Sequence, residues 1–227
     1  GIFPAIMGTF FVTMVTVLLA VPIGMFSAIY LNEYAKQTRI TRIIRLSIRN
    51  LSGVPSIVYG LFGVILFVNV LKFGTSILSA GLTLGLLTLP WTITASEEAL
   101  KTVPNSYREG ALALGATKWQ SIRTNVLPNA LPGMLTGTVL GLSRAAGETA
   151  PIMFTGAAFF LPFLPRSFSD QFMALPYHLY VMATQHHAIS QVRPLAYGTA
   201  LILILLILIM NMSVVIIRYR LRKKRRA

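Results

Sequence analysis

Long apolar runs alternate with short basic segments along this chain. Gly1–Asn32, Asn50–Leu71, Phe73–Ser96 and Pro194–Ile217 hold no formal charge, and Ala130–Phe160 holds only Arg144 and Glu148. Each run exceeds the roughly 20 residues that a helix needs to cross about 30 Å of hydrocarbon. None alternates with the period of two that a barrel strand would show, and a helix satisfies its own backbone where lipid offers no partner. The pattern predicts an all-α fold: a polytopic transmembrane helix bundle with five spans, treated as a single transmembrane domain over 1–227.

Between the first two runs, Arg39, Arg42, Arg45 and Arg49 recur at helical spacing, with Ile40, Ile43, Ile44, Ile48 and Leu51 on the opposite arc. This predicts an interfacial elbow helix whose solvated basic face anchors a turn at the lipid headgroups. The connection at about 97–129 is richer. After a turn at Pro104 and Asn105, Ser106 and Glu109 spell the capping box S-x-x-E, so a short helix is expected from Tyr107. Gly115 suits the left-handed position that ends such a helix. Thr117 and Gln120 repeat the box for a second short helix, which Pro128 is expected to interrupt at the return to the membrane.

The run from Ala130 to Pro165 is about 36 residues, or roughly 54 Å of helix at 1.5 Å per residue, too long for one crossing. Pro151 removes a donor and disfavours helical geometry at Ala150, so a break is expected just after Glu148. Pro22 and Pro90, with Gly85, are expected as kinks inside spans. Gly60 and Gly63, and Gly133, Gly137 and Gly141 at intervals of four, suit close helix packing.

Composition sharpens this picture. The chain is 55% hydrophobic and 11% charged, with a mean hydropathy of +0.70, far from a soluble domain. A formal charge of +14 would suggest nucleic acid in a soluble protein, but here no nucleic-acid partner is expected, because the charge reports topology. Basic residues gather in Glu33–Arg49, in Glu97–Asn129 and in the tail 218–227, whereas the alternate connections hold Lys72, Arg166 and Arg193. The positive-inside rule then puts the loop 97–129 and the C-terminus in the cytoplasm and Gly1 outside, with the tail beside anionic lipid. A chain that starts outside on glycine is expected to be a fragment lacking an upstream span. No cleavable secretory signal is read at its start.

The absence of cysteine excludes disulfides and thiolate metal sites. His178, His186 and His187 have no acidic neighbours at ligand spacing, so no metal and no cofactor are expected. Gly110 to Gly115 followed by Thr117 imitates a phosphate-binding P-loop, yet Ala116 stands at the lysine position and no strand precedes it. ATP, if used, is expected on a separate subunit.

The remaining chemistry is the buried charge pair. About 20 residues counted from Pro132 put Arg144 near mid-bilayer, where a cation costs about 2.5 to 3.5 kcal/mol on insertion scales. Glu148, four residues on, shares its helical face and can neutralise it. The planar guanidinium also matches the oxygens of a tetrahedral oxyanion.

Glu109, Gly110, Ala111, Gly115, Ala116, Leu127 and Pro128 together resemble the "EAA" loop of ABC-importer permeases, with Gly110 in place of the first alanine and Asn125 where an aliphatic residue is usual. The stretches SRAAGETAP and LPYHLYVMA resemble the phosphate-importer permeases of the PstA type, and the resemblance runs from the first span to the tail. It implies a type I importer permease, half of a heterodimeric transmembrane pair in a prokaryotic inner membrane. Its partners would be cytoplasmic ATP-binding subunits, docked on the loop, and an extracytoplasmic phosphate-binding protein. The chain would catalyse no reaction itself. On that reading Arg144 attracts phosphate, Glu148 tempers or orients it, and Thr149 with the freed amides beside it adds donors. The run FMALPYHLYVMA is expected in the outer interface, within reach of the binding protein. A permease for molybdate, sulfate or a phosphonate, an ATP-independent channel or secondary transporter, and a non-transporting scaffold are the alternatives.

Overall fold

The computed structural model describes residues 1–161, 163–185 and 189–223. His186, His187, Lys224, Arg225 and Arg226 lie outside these residues, and so do the expectations placed on them. The described chain is helical: α1 (Phe3–Ile29), α2 (Arg39–Leu51), α3 (Ser56–Gly63), α4 (Ile77–Lys101), α5 (Asn105–Ala113), α6 (Lys118–Ser121), α7 (Leu127–Gly147), α8 (Ala150–Thr155), α9 (Leu175–Thr184) and α10 (Ile189–Lys223). Tyr30–Tyr34, Val64–Val70 and Ile122–Val126 are wound as π-helix. One two-residue parallel pairing, β1 (Ala157–Ala158) with β2 (Phe172–Met173), interrupts the helical order.

Among the described residues, three helices are long and apolar enough to cross a membrane: Phe3–Tyr34, Ile77–Lys101 and Gln191–Arg220. A fourth crossing counts if Arg39–Leu51 and Ser56–Val70, bent by 100°, form one broken span. The helical class is as expected, and three to four of the five runs meet this length-and-composition test by themselves among the described residues. The run Asn50–Leu71 is broken at Gly53 and Pro55, leaving an 8-residue α-helix and a 7-residue π segment. Helix α7 has 21 residues, but Pro128, Asn129, Thr136, Thr138, Ser143 and Arg144 dilute its apolar character.

The chain divides into two compact units. Unit 1 comprises Gly1–Ala20, Val54–Thr88 and Leu142–Asn211. Its core gathers Val12, Val15, Ile77, Leu84, Ile152 and Phe172. Thr9, Thr13 and Thr16 are buried on α1, and each hydroxyl donates to the carbonyl four residues back, at 2.8, 2.6 and 2.8 Å, so their polarity is satisfied inside the helix. The Thr9 hydroxyl also accepts from the Leu175 amide at 2.9 Å, which fastens the start of α9. Phe172, Met173, Ala174 and Leu175 are at most 3% exposed. The first part of the run expected in the outer interface is therefore core, because β2 and the start of α9 bring it inward.

Unit 2 comprises Val21–Gly53, Leu89–Gly141 and the chain from Met212. Ala28, Ile29, Ile93, Leu100, Ile122, Val126 and Met134 form its core. The glycine spacing on α7 acts as expected: a Cβ on Gly133 would come within 2.9 Å of the Ala99 Cβ, and one on Gly137 would collide with Ala95. These glycines let α7 lie against α4. Helix α2 is capped by Thr38, whose hydroxyl accepts from the Thr41 amide at 3.3 Å. Arg45 departs from the solvated basic row, with its Nε 2.6 Å from Glu97 Oε1 and side chains 16% and 6% exposed.

Candidate functional site

The candidate substrate residues meet at a helix break in unit 1. Helix α7 ends at Gly147 and α8 begins at Ala150, so Glu148 and Thr149 stand between them. Pro151, in the first turn of α8, has no amide to leave unsatisfied there. The unwinding expected after Glu148 is present.

Arg144 Nε donates to Glu148 Oε1 at 3.3 Å, with side chains 40% and 16% exposed. A charge-assisted bond usually measures about 2.7–2.9 Å, and an i,i+4 pair at this exposure contributes about 0.3–0.5 kcal/mol. Glu148 thus helps orient the guanidinium. Thr149 makes no capping hydrogen bond with its side chain, and α8 is only six residues long.

Two neighbours were not singled out from sequence. Tyr59 on α3 lies within electrostatic reach of Arg144. Helix α3 comes this near because Gly60 lets it approach α8: an added Cβ would sit 3.0 Å from Pro151 Cα and 3.2 Å from the Ala150 carbonyl. Asn211 on α10 donates from Nδ2 to Ser143 Oγ at 2.7 Å, and that oxygen lies 3.0 Å from Asn211 Oδ1. This clamp fixes α7 one residue before Arg144. The break thus gathers a cation, a carboxylate and a threonine residue, with the Tyr59 phenol within electrostatic reach of the cation.

The candidate coupling residues lie in unit 2. Glu109, Gly110 and Gly115 are exposed, Ala111 is buried, and Ala116, Leu127 and Pro128 are half-buried. Gly115 has φ +83°, the left-handed geometry read from sequence. The second capping box forms completely, with the Gln120 amide on Thr117 Oγ1 at 3.3 Å and the Thr117 amide on Gln120 Oε1 at 2.7 Å. The first does not. Pro104, extended at ψ 144°, is itself the residue before α5, so the helix starts at Asn105 with Ser106 and Glu109 inside it. Pro128 does not interrupt the return either. The π turn Ile122–Val126 joins α6 to α7, and Pro128 is the second residue of α7. The resulting two-helix knob exposes Tyr107, Leu112, Trp119 and, 90% exposed, Leu114.

Behind the knob stands an ion pair that sequence reasoning missed. Arg108 reaches Glu33, 75 residues away, through Nε at 3.1 and 3.3 Å and Nη2 at 2.7 Å. The available signal was scarcity, since the chain has only six acidic residues and Glu33 ends an apolar run.

A family model described as "Binding-protein-dependent transport system inner membrane component" matches residues 20–227. "Phosphate transport system permease protein PstA 1" of Mycobacterium tuberculosis is 41% identical over 153 residues, covering 67% of this chain and 50% of that protein. "Phosphate transport system permease protein PstA" of Haemophilus influenzae is 34% identical over 183 residues, 81% of this chain and 64% of that protein. "Probable ABC transporter permease protein YqgI" of Bacillus subtilis is 36% identical over 155 residues, 68% of this chain and 53% of that protein. The chain thus spans about half the length of the curated relatives it matches. Among solved structures, the inward-facing MetNI methionine ABC transporter superposes with a TM-score of 0.71 at 18% identity, over 97% of this chain and 94% of that one. A bacterial importer of alginate gives 0.68 at 12% identity, over 96% and 79%. These two likenesses concern the fold alone.

Proposed function

The chain belongs to the binding-protein-dependent transport system inner-membrane component family, and we propose that it is the membrane-spanning permease subunit of an ATP-driven importer of inorganic phosphate. What carries the phosphate assignment is the 34–41% identity to permeases named for phosphate transport. The geometry at the α7–α8 break supports it. There the Arg144 guanidinium, held at 3.3 Å by Glu148, offers a fork to a tetrahedral dianion. Phosphate takes the guanidinium in exchange for Glu148, and the nearby carboxylate then favours its release. The Thr149 hydroxyl supplies a neutral donor beside it.

On this reading the chain catalyses no covalent step. A second permease subunit completes the pathway, cytoplasmic ATP-binding subunits hydrolyse ATP, and an extracytoplasmic phosphate-binding protein delivers the anion. The segment 97–129 and the C-terminus face the cytoplasm, as the basic residues indicate. Glu109, Gly110, Ala111, Gly115 and Ala116 form or support the knob that docks on the ATP-binding subunit, and Leu127 and Pro128 return the chain to the membrane.

The test is uptake of labelled phosphate by the reconstituted complex, with molybdate, sulfate and a phosphonate as competitors. Phosphate is expected to be preferred and uptake to require ATP. Arg144→Gln is expected to lower uptake about a hundredfold, equivalent to roughly 2.8 kcal/mol, with the subunits still assembled. Normal uptake by that variant would refute the role of Arg144. Flux without ATP would refute the importer.

A further inference from the structure

The coupling knob is tied to the end of the first helix by one guanidinium, and the tie crosses a junction that packing does not fill. In unit 2 a cleft of about 510 Å³ is lined by Asn32, Glu33, Arg108, Leu112, Lys118 and Ser121 among others. Across it, Arg108 in the second turn of α5 holds Glu33 by both carboxylate oxygens, with side chains 19% and 5% exposed. The same guanidinium donates to the Val103 carbonyl at 2.8 Å and the Leu100 carbonyl at 3.2 Å. These carbonyls lie at and just beyond the C-terminal end of α4, where a helix leaves acceptors open and favours a cation. One side chain therefore joins three helical elements. A second contact runs parallel, with Lys118 Nζ 5.0 Å from the centre of the Tyr34 ring.

We infer that Arg108 and Glu33 are positioning residues that make the knob follow the end of the first helix, so that motion there is transmitted to the docked ATP-binding subunit. This rests on the importer reading above. A buried ion pair gains little net stability because desolvation offsets its attraction. Its bidentate geometry does fix direction, which makes it a device for orientation. Glu33 also sits in the π-wound turn Tyr30–Tyr34, a winding that often marks functional places in helices. The remaining face of α5 offers little other restraint, since Ala111 is its one buried residue.

The experiment uses the whole reconstituted complex, measuring phosphate transported per ATP hydrolysed and the stimulation of ATPase by loaded binding protein. Glu33→Gln and Arg108→Gln are expected to lower transport per ATP about fivefold or more, the low end of ordinary coupling factors, while the ATP-binding subunits still co-purify. Arg108→Lys, which keeps the cation at the α4 end without the bidentate fork, is expected to lose less than Arg108→Gln, and the charge-swapped double variant Glu33→Arg with Arg108→Glu to recover part of the loss, limited by the carboxylate it sets against the Val103 and Leu100 carbonyls. Unchanged transport per ATP in both single variants overturns the inference and leaves the importer standing. Loss of subunit assembly in both, unrestored by the swap, assigns the pair to folding and also overturns it. A wild-type complex whose ATPase does not respond to phosphate-loaded binding protein overturns the importer reading itself, and this inference with it.

Discussion

Two arginine–glutamate pairs, one in each unit, use the same chemistry in opposite ways. Arg144 and Glu148 are four residues apart, meet at 3.3 Å and leave the arginine 40% exposed. Arg108 and Glu33 are 75 residues apart, meet at 2.7 Å with the carboxylate 5% exposed, and add two backbone carbonyls to the arginine. The first pair is local and long for an ion pair, which agrees with the partner exchange proposed for Arg144. The second is long-range and saturated, which suits one that must not.

Thermal unfolding of the purified chain would put the contrast to its strongest test. Glu33→Ala strands the Arg108 charge and is expected to cost about 3–5 kcal/mol. If Glu148→Ala cost as much, the contrast would fail. Next in size, Gly137→Val forces a branched side chain into Ala95 and is expected to destabilise unit 2 by about 1–3 kcal/mol. The same assay reads it, and it shows how far the packing of α7 on α4 matters beside the ion pair. Glu148→Ala itself is expected to lose only about 0.3–0.5 kcal/mol of stability, yet to change uptake of phosphate clearly.

The smallest effect concerns pH. His178 stacks on Phe159 with ring centres 5.0 Å apart, and burial pushes its imidazole below the ordinary value, against a backbone hydrogen bond at Phe159 that raises it. A depressed imidazole favours the neutral folded form, so this stability is complete above the ordinary value near 6.5. It is lost as pH falls from there through the folded value. Melting curves between neutral and mildly acidic pH should show less acid sensitivity in His178→Phe. Equal sensitivity would remove His178 as the cause.

What was legible in the sequence was local. Gly115, the Thr117–Gln120 box and the break before Pro151 each depend on a few neighbouring residues, and each is present. The Ser106–Glu109 box is equally local yet absent, because Pro104 fixes the extended residue two positions earlier and starts the helix ahead of it. Pro128 was misjudged because a π turn carries the helix into it, and no wheel drawn at a constant pitch reveals such a turn. Three to four of the five apolar runs are helices long and apolar enough to cross by themselves among the described residues, and hydrophobicity does not report where Gly53 and Pro55 bend the chain. Glu33 and Arg108 were each visible as charges. Their partnership depends on the tertiary fold across 75 positions, which no local pattern encodes.

The clasp between Asn211 and Ser143 has a consequence for the last helix. In lipid such an amide–hydroxyl contact averages only about 0.6 kcal/mol, too little to hold a greasy rod in the bilayer, where its aliphatic surface already keeps it. What the clasp supplies is an index mark: a cylinder that hydrocarbon would let spin freely has one preferred azimuth, read out next to Arg144.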